Sequence, residues 1–126
     1  MSSPSTESGL AGRHVLVVED EYLIAGLLAE ALVEQAATVV GPASSVERAL
    51  ALVAQADTLD MAVLDVNLRG EDVYPVADVL TARGVPFVLV TGYDRHAIPR
   101  RYRDGMVLGK PIELADVVAT LRRLVD

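Results

Sequence analysis

At 126 residues the chain has the length of one domain and can bury roughly two thirds of the surface its unfolded form exposes. Apolar residues make up 52% of it and aromatics only 4%, so the core must pack through close aliphatic contacts. A net charge of -7 disfavours direct binding to nucleic acid, the lack of Cys excludes disulfide and thiolate chemistry, and no apolar run resembles a signal peptide or a membrane span; a cytoplasmic protein with protein or cation partners is expected.

Residues 1–12 are rich in Ser, Thr, Pro and Gly without periodicity and read as a disordered tail, leaving 13–126 as the folded domain. The run 15–18 is a buried strand that ends in Glu19, Asp20 and Glu21. Leu23, Ile24, Leu27, Leu28, Ala31 and Leu32 then recur at helical spacing, and an acid at the helix start is favourable. Such capping accounts for one of the three acids and not for all. "ATVVG" is a second strand stopped by Gly41 and Pro42, and Ser44 with Glu47 forms a capping box for the next helix. The run 61–64 delivers Asp65 to a strand end, and Pro75 suits the first turn of the helix that carries Val76, Val79 and Leu80.

A fourth strand, 87–90, ends in Thr91 and Gly92. The stretch from Tyr93 to Asp104 is irregular, with Pro99 interrupting any helix and Arg95, Arg100, Arg101 and Arg103 clustered on it. "GMVLGKP" is a fifth strand leading to Lys110, the one Lys among eleven basic residues, and a last amphipathic helix carries Arg122 and Arg123 in its final turn. Five strands alternating with five helices predict an α/β doubly wound parallel sheet, flavodoxin-like, with strand order 2-1-3-4-5. Its switch point lies between strands one and three, where Asp20 and Asp65 meet.

Four of the five strands thus end in Glu19 and Asp20, in Asp65, in Thr91 and in Lys110, a pattern that no capping rule supplies. Two carboxylates about 4 Å apart repel by roughly 4 kcal/mol at an effective dielectric of 20, a large share of the ~5–15 kcal/mol stability of a domain. The cluster needs a cation, and carboxylate oxygens without His or Cys favour Mg²⁺. A carboxylate beside Mg²⁺, a hydroxyl and an ammonium are the parts for phosphoryl transfer, with Asp65 as acceptor.

In this order and at these spacings, "VLVVEDE", "VLDVNLRG", "LVTG" and "GKP" resemble the receiver domain of two-component response regulators, the CheY-like fold. The resemblance implies that Asp65 is phosphorylated by a histidine kinase or a phosphotransfer protein. It further implies that Asp20 and Asp65 ligate Mg²⁺ with help from Glu19 and the backbone carbonyl of Asn67. Thr91 would donate its hydroxyl to the phosphoryl group, Lys110 would pair with that group, and the Lys110–Pro111 peptide would be cis. The chain would not be an enzyme in the usual sense, though it would assist its own phosphoryl transfer and dephosphorylation, and its output would be a changed surface for a downstream protein partner, with no direct role at nucleic acid or membrane.

One departure concerns the readout, because Val107 stands where receivers carry an aromatic residue. "PFVLVTGYD" partly resembles the strand-four motif of the single-domain subgroup named for Phe-Ala-Thr-Gly, with Leu89 and Val90 in place of Phe and Ala, and makes Tyr93 the candidate moving group. The chain ends just after its last helix, which favours a receiver without an output domain; a receiver excised from a longer regulator is the alternative. A phosphatase on a similar sheet would want a second acid two residues after the nucleophile, where Asn67 stands. His14 and His96 have no ligand partners at metal spacing.

Overall fold

The computed structural model describes residues 9–92, 97–103 and 106–125. Its elements in order are β1 (His14–Val18), α1 (Tyr22–Glu34), β2 (Thr38–Ala43), α2 (Val46–Gln55), β3 (Met61–Asp65), β4 (Asn67–Leu68), β5 (Glu71–Asp72), α3 (Tyr74–Ala82), β6 (Phe87–Thr91), α4 (Arg100–Arg103), β7 (Met106–Gly109) and α5 (Leu114–Val125). The five longer strands form a parallel sheet in the order β2-β1-β3-β6-β7, which is the predicted doubly wound order once the small β4–β5 hairpin is set aside. Among the described residues no helix is long and apolar enough to cross a membrane.

Successive strand side chains point to opposite faces, and here both faces are covered, which is why the strands read as continuous apolar runs. Leu16, Val18, Ala62, Leu64 and Leu89 join Val46, Ala49 and Val53 of α2 and Val76, Ala77 and Leu80 of α3. Val15, Val17, Met61, Val63, Val88 and Val90 join Leu28 and Leu32 of α1 and Val117 and Leu121 of α5. Each fully buried Val or Leu contributes about 1.5–3 kcal/mol relative to exposure.

The order of the chain begins before residue 13. Leu10, in the stretch predicted as tail, is 0% exposed and packs into the α1/α5 core. Gly12 N–H donates to the Ala36 carbonyl (2.9 Å) and Arg13 N–H to that of Leu10 (3.0 Å), so 9–12 form a turn that seats the leucine. β2 does not stop at Gly41 and Pro42 but runs through them across a cis peptide, with a register shift against β1 between Leu16 and Val18. As an edge strand it tolerates Pro and a bulge. Gly41 has φ +94°, and a Cβ there would sit 2.8 Å from the Ala43 nitrogen.

The cap of α2 is Ser45 rather than Ser44, its hydroxyl accepting the Arg48 N–H at 3.1 Å. On α1 the buried face is Ala25, Leu28 and Leu32, while Leu23 and Leu27 are exposed. At 100° per residue Leu23 lies about 140° around the helix from Leu28, too far to share its contact. α3 buries Val76, Ala77 and Leu80 and exposes Val79. The four-residue α4 is held by Tyr102, whose ring stacks on Tyr74 of α3 (centroids 4.5 Å apart) and whose hydroxyl donates to Asp78 Oδ1 at 2.6 Å.

α1 and α3 end in the same way. At α3 the N–H of Val85 reaches back to the Leu80 carbonyl and that of Gly84 to Thr81, with Gly84 at φ +72°. At α1 the N–H of Ala37 bonds to Leu32 and that of Ala36 to Val33, with Ala36 at φ +63°. Both are Schellman closures, but α1 places a Cβ in the left-handed region, where it costs roughly 1–2 kcal/mol. Ala36→Gly is expected to raise stability by about 0.5–1 kcal/mol, the gain being trimmed by the extra freedom of Gly in the unfolded chain. A thermal melt showing an unchanged or lower midpoint would refute this.

Candidate functional site

Parallel register brings the strand ends to one edge of the sheet. Val18 pairs with Leu64, Asp65 with Val90, and Thr91 with Gly109. Glu19 and Asp20 therefore follow β1, Asp65 closes β3, Thr91 closes β6, and Lys110 follows β7, its N–H donating to the Thr91 carbonyl at 2.8 Å. Asp65 is 2% exposed, Glu19 3%, and Thr91 is equally buried. Glu19, Asp20 and Asp65 each offer a carboxylate oxygen, and these atoms lie within 4.8 Å of one another.

Cations meet this negative charge unevenly. Lys110 Nζ lies 2.8 Å from Asp65 Oδ2, its side chain 34% exposed. Burial works to lower the Lys110 ammonium, but the hydrogen bond and charge of Asp65, with Glu19 and Glu21 behind, outweigh it and hold it above the ordinary lysine value. The other oxygen of Asp65 accepts the Asn67 N–H at 3.2 Å. Asp20 faces Arg69, with 3.6 Å between Oδ2 and Nε.

Among the described residues no cation forms a salt bridge with Glu19, and the Lys110 charge offsets only a small part of its burial. Burial pushes its carboxyl up to about 7, with the charge of Asp65 adding to the effect and the Glu21 N–H, 3.0 Å from Oε2, opposing it. The run of acids is therefore not a helix cap in the predicted sense. Glu21 is the N-cap of α1 without a side-chain cap bond, and it is Glu19 that accepts a backbone donor there. Three hard oxygen donors, close together and short of one counter-charge, fit a divalent cation of the Mg²⁺ type.

The structure thus brings together Glu19, Asp20, Asp65, Thr91 and Lys110, with Asn67 next to Asp65 in the chain and bonded to it. The Lys110–Pro111 peptide is cis, as the resemblance implies. Val107 is half-buried against the α2/α3 core. Tyr93 lies outside the described residues, as do Arg95 and His96. His14 sits at the start of β1, its N–H donating to Asp60 Oδ2 at 2.7 Å, far from the strand ends. In the arginine cluster, Arg101 lies 4.6 Å over the Tyr102 ring and pairs with Asp78 at 3.4 Å, which gives it a role within the fold.

What sequence reasoning missed is Arg69. It occupies the turn of the β4–β5 hairpin with φ +54°, followed by Gly70 at +89°. It also borders an open groove of about 610 Å³ shared with Asp20, Tyr22, Leu23, Leu27 and Pro42. The available signal was a bulky residue next to Gly in a two-residue turn, where Asn, Asp or Gly is the rule.

A parallel doubly wound sheet with three acids, a Thr and a Lys at its carboxyl edge is the arrangement of a signalling receiver, and the comparisons agree. Residues 15–122 match the response regulator receiver domain, and the chain belongs to that family. It is similar to the transcriptional regulatory protein PdtaR of Mycobacterium tuberculosis (strain ATCC 25618 / H37Rv), 29% identical over 131 residues, an alignment that takes in 100% of this chain and 63% of that protein. The chain therefore spans less than two thirds of this curated relative. The solution structure of SdrG from Sphingomonas melonis Fr1 matches with 42% identity and a TM-score of 0.78, covering 94% of this chain and 99% of that one. The BeF3-activated conformation of SdrG from Pseudomonas melonis Fr1 matches with 42% identity and a TM-score of 0.74, covering 91% and 97%.

Proposed function

We propose that the chain acts in two-component signalling by accepting a phosphoryl group on Asp65 from a histidine kinase or a phosphotransfer protein, and that Glu19, Asp20, Asp65 and the Asn67 carbonyl hold the Mg²⁺ this requires. The observation that carries the reading is a buried carboxylate, Asp65, bonded at 2.8 Å to the single Lys of the chain and flanked by two further acids. An Asp65 oxygen attacks phosphorus, the O–P bond forming as the N–P bond of the phosphohistidine breaks and the imidazole departs. Bound Mg²⁺ supplies charge neutralisation for the incoming phosphoryl oxygens. Lys110 transfers its ammonium from Asp65 to a phosphoryl oxygen, and the Thr91 hydroxyl donates to another.

The chain is then a phosphoacceptor rather than an enzyme in the usual sense, and its product is an altered surface presented to a downstream protein in the cytoplasm. That SdrG takes up a BeF3-activated conformation supports the reading. With Val107 in place of an aromatic, Tyr93 is our candidate for the group that carries the change outward.

The test is intact-mass measurement after incubation with acetyl phosphate and Mg²⁺. Wild-type protein should gain one phosphoryl group, and both Asp65→Asn and treatment with EDTA should prevent it. Wild-type protein that stays unmodified would overturn the proposal.

A further inference from the structure

The β4–β5 hairpin is fixed to the phosphoacceptor strand at its base. Asn67 N–H donates to Asp65 Oδ1, and Asn67 Oδ1 accepts the Gly70 N–H at 2.6 Å, so the position of the turn is set by the site itself. At its tip both central residues have positive φ, the type I′ geometry that favours Asn, Asp or Gly. Arg69 is a poor choice on those local grounds. A residue that breaks a local rule beside a functional site is where a second role is to be sought.

Its side chain turns back over the acids. Arg69 Nε stands 3.6 Å from Asp20 Oδ2 and its Nη2 3.4 Å from the Asp20 carbonyl oxygen. Lys110 already serves Asp65, so Arg69 is the counter-charge for Asp20. The two cations differ in how they are held. Lys110 bonds a buried carboxylate at 2.8 Å, whereas the Arg69 side chain is 77% exposed and its swing into solvent uncovers the Asp20 carboxylate.

We propose that Arg69 is a tethered competitor of the divalent cation: its guanidinium neutralises Asp20 in the cation-free protein and is displaced when the cation enters. This rests on the reading of Glu19, Asp20 and Asp65 as cation ligands. Two effects of the guanidinium act in the same direction. It cancels part of the attraction of Asp20 for the incoming ion, and it repels that ion directly. The affinity of the acid cluster is thereby set lower than its three carboxylates alone would give.

The test is calorimetric titration of the full chain with MgCl₂ at low ionic strength. Arg69→Asn suits the positive φ and keeps the turn while removing the charge; Arg69→Lys keeps the charge. Arg69→Asn should bind Mg²⁺ at least roughly threefold more tightly than wild type, with the difference shrinking near 0.5 M NaCl, and Arg69→Lys should stay within about twofold of wild type. Wild-type binding with Arg69→Asn unchanged or weaker overturns the role of Arg69 alone, as does Arg69→Lys behaving like Arg69→Asn. Wild-type protein that binds no Mg²⁺ overturns both this inference and the ligand assignment beneath it. In the wild type the Arg69 Nε–Hε resonance should shift as Mg²⁺ is added, and a resonance that stays in place overturns the displacement.

Discussion

Replacing Leu10 by Ala is expected to lower the unfolding free energy by about 2–5 kcal/mol, even though the residue lies in a polar, Gly- and Ser-rich lead. The side chain is fully buried in the same cluster as Leu28, Leu32, Met61, Val117 and Leu121, so truncation leaves a cavity between the sheet and the α1/α5 layer. The space cannot close easily, because the turn bearing Leu10 is tied to the end of α1 through the Gly12 to Ala36 hydrogen bond. For a domain of this size the melting point should fall by on the order of 10 °C or more. A loss below about 0.5 kcal/mol in a denaturant titration would mean that the lead contributes nothing to the core.

The second large effect is on pH dependence. Glu19 titrates near 7 in the folded protein against 4.5 as its ordinary value, because burial and the neighbouring Asp65 disfavour its charge. Between those values the folded state binds more protons than the unfolded state. The stability of the cation-free protein should therefore fall as pH rises from about 4.5 to 7 and carry the full penalty above that, on the order of 1–3 kcal/mol. Glu19→Gln keeps an oxygen for the Glu21 N–H and removes the charge. Its stability should match the wild type at about pH 4 and below, and exceed it near pH 8 in EDTA. Parallel curves for the two proteins would show that the strain is not on Glu19. The relief belongs there rather than on Asp20, which has Arg69 opposite it.

The sheet was readable because its three central strands are buried on both faces and so appear as unbroken apolar runs, and because four of the five strands lead to a polar residue at the same edge. The acids, Thr91 and Lys110 were legible for the same reason. Features without a period were not. Leu10 is one apolar side chain among Gly and Ser, and β4 and β5 are two residues each, too short to carry a pattern. Gly-Pro within β2 reads as a stop, and only the strand's place at the sheet edge allows it to continue. On α1, apolar residues on nearly every side conceal which face packs, so Leu23 and Leu27 looked buried and are not. Arg69 reaches an acid 49 residues earlier in the chain, a meeting that only the folded topology creates.

The attachment of α4 has a mechanical consequence. Four residues amount to about one helical turn, which has no stability of its own in water. The Tyr102 ring on Tyr74, with its hydroxyl on Asp78, therefore acts as a rivet between this turn and α3. Together with the Arg101–Asp78 pair and the buried Ile98, that rivet fastens the turn to the α2/α3 side of the sheet, so this flank keeps its shape through tertiary contacts and not through helix propensity.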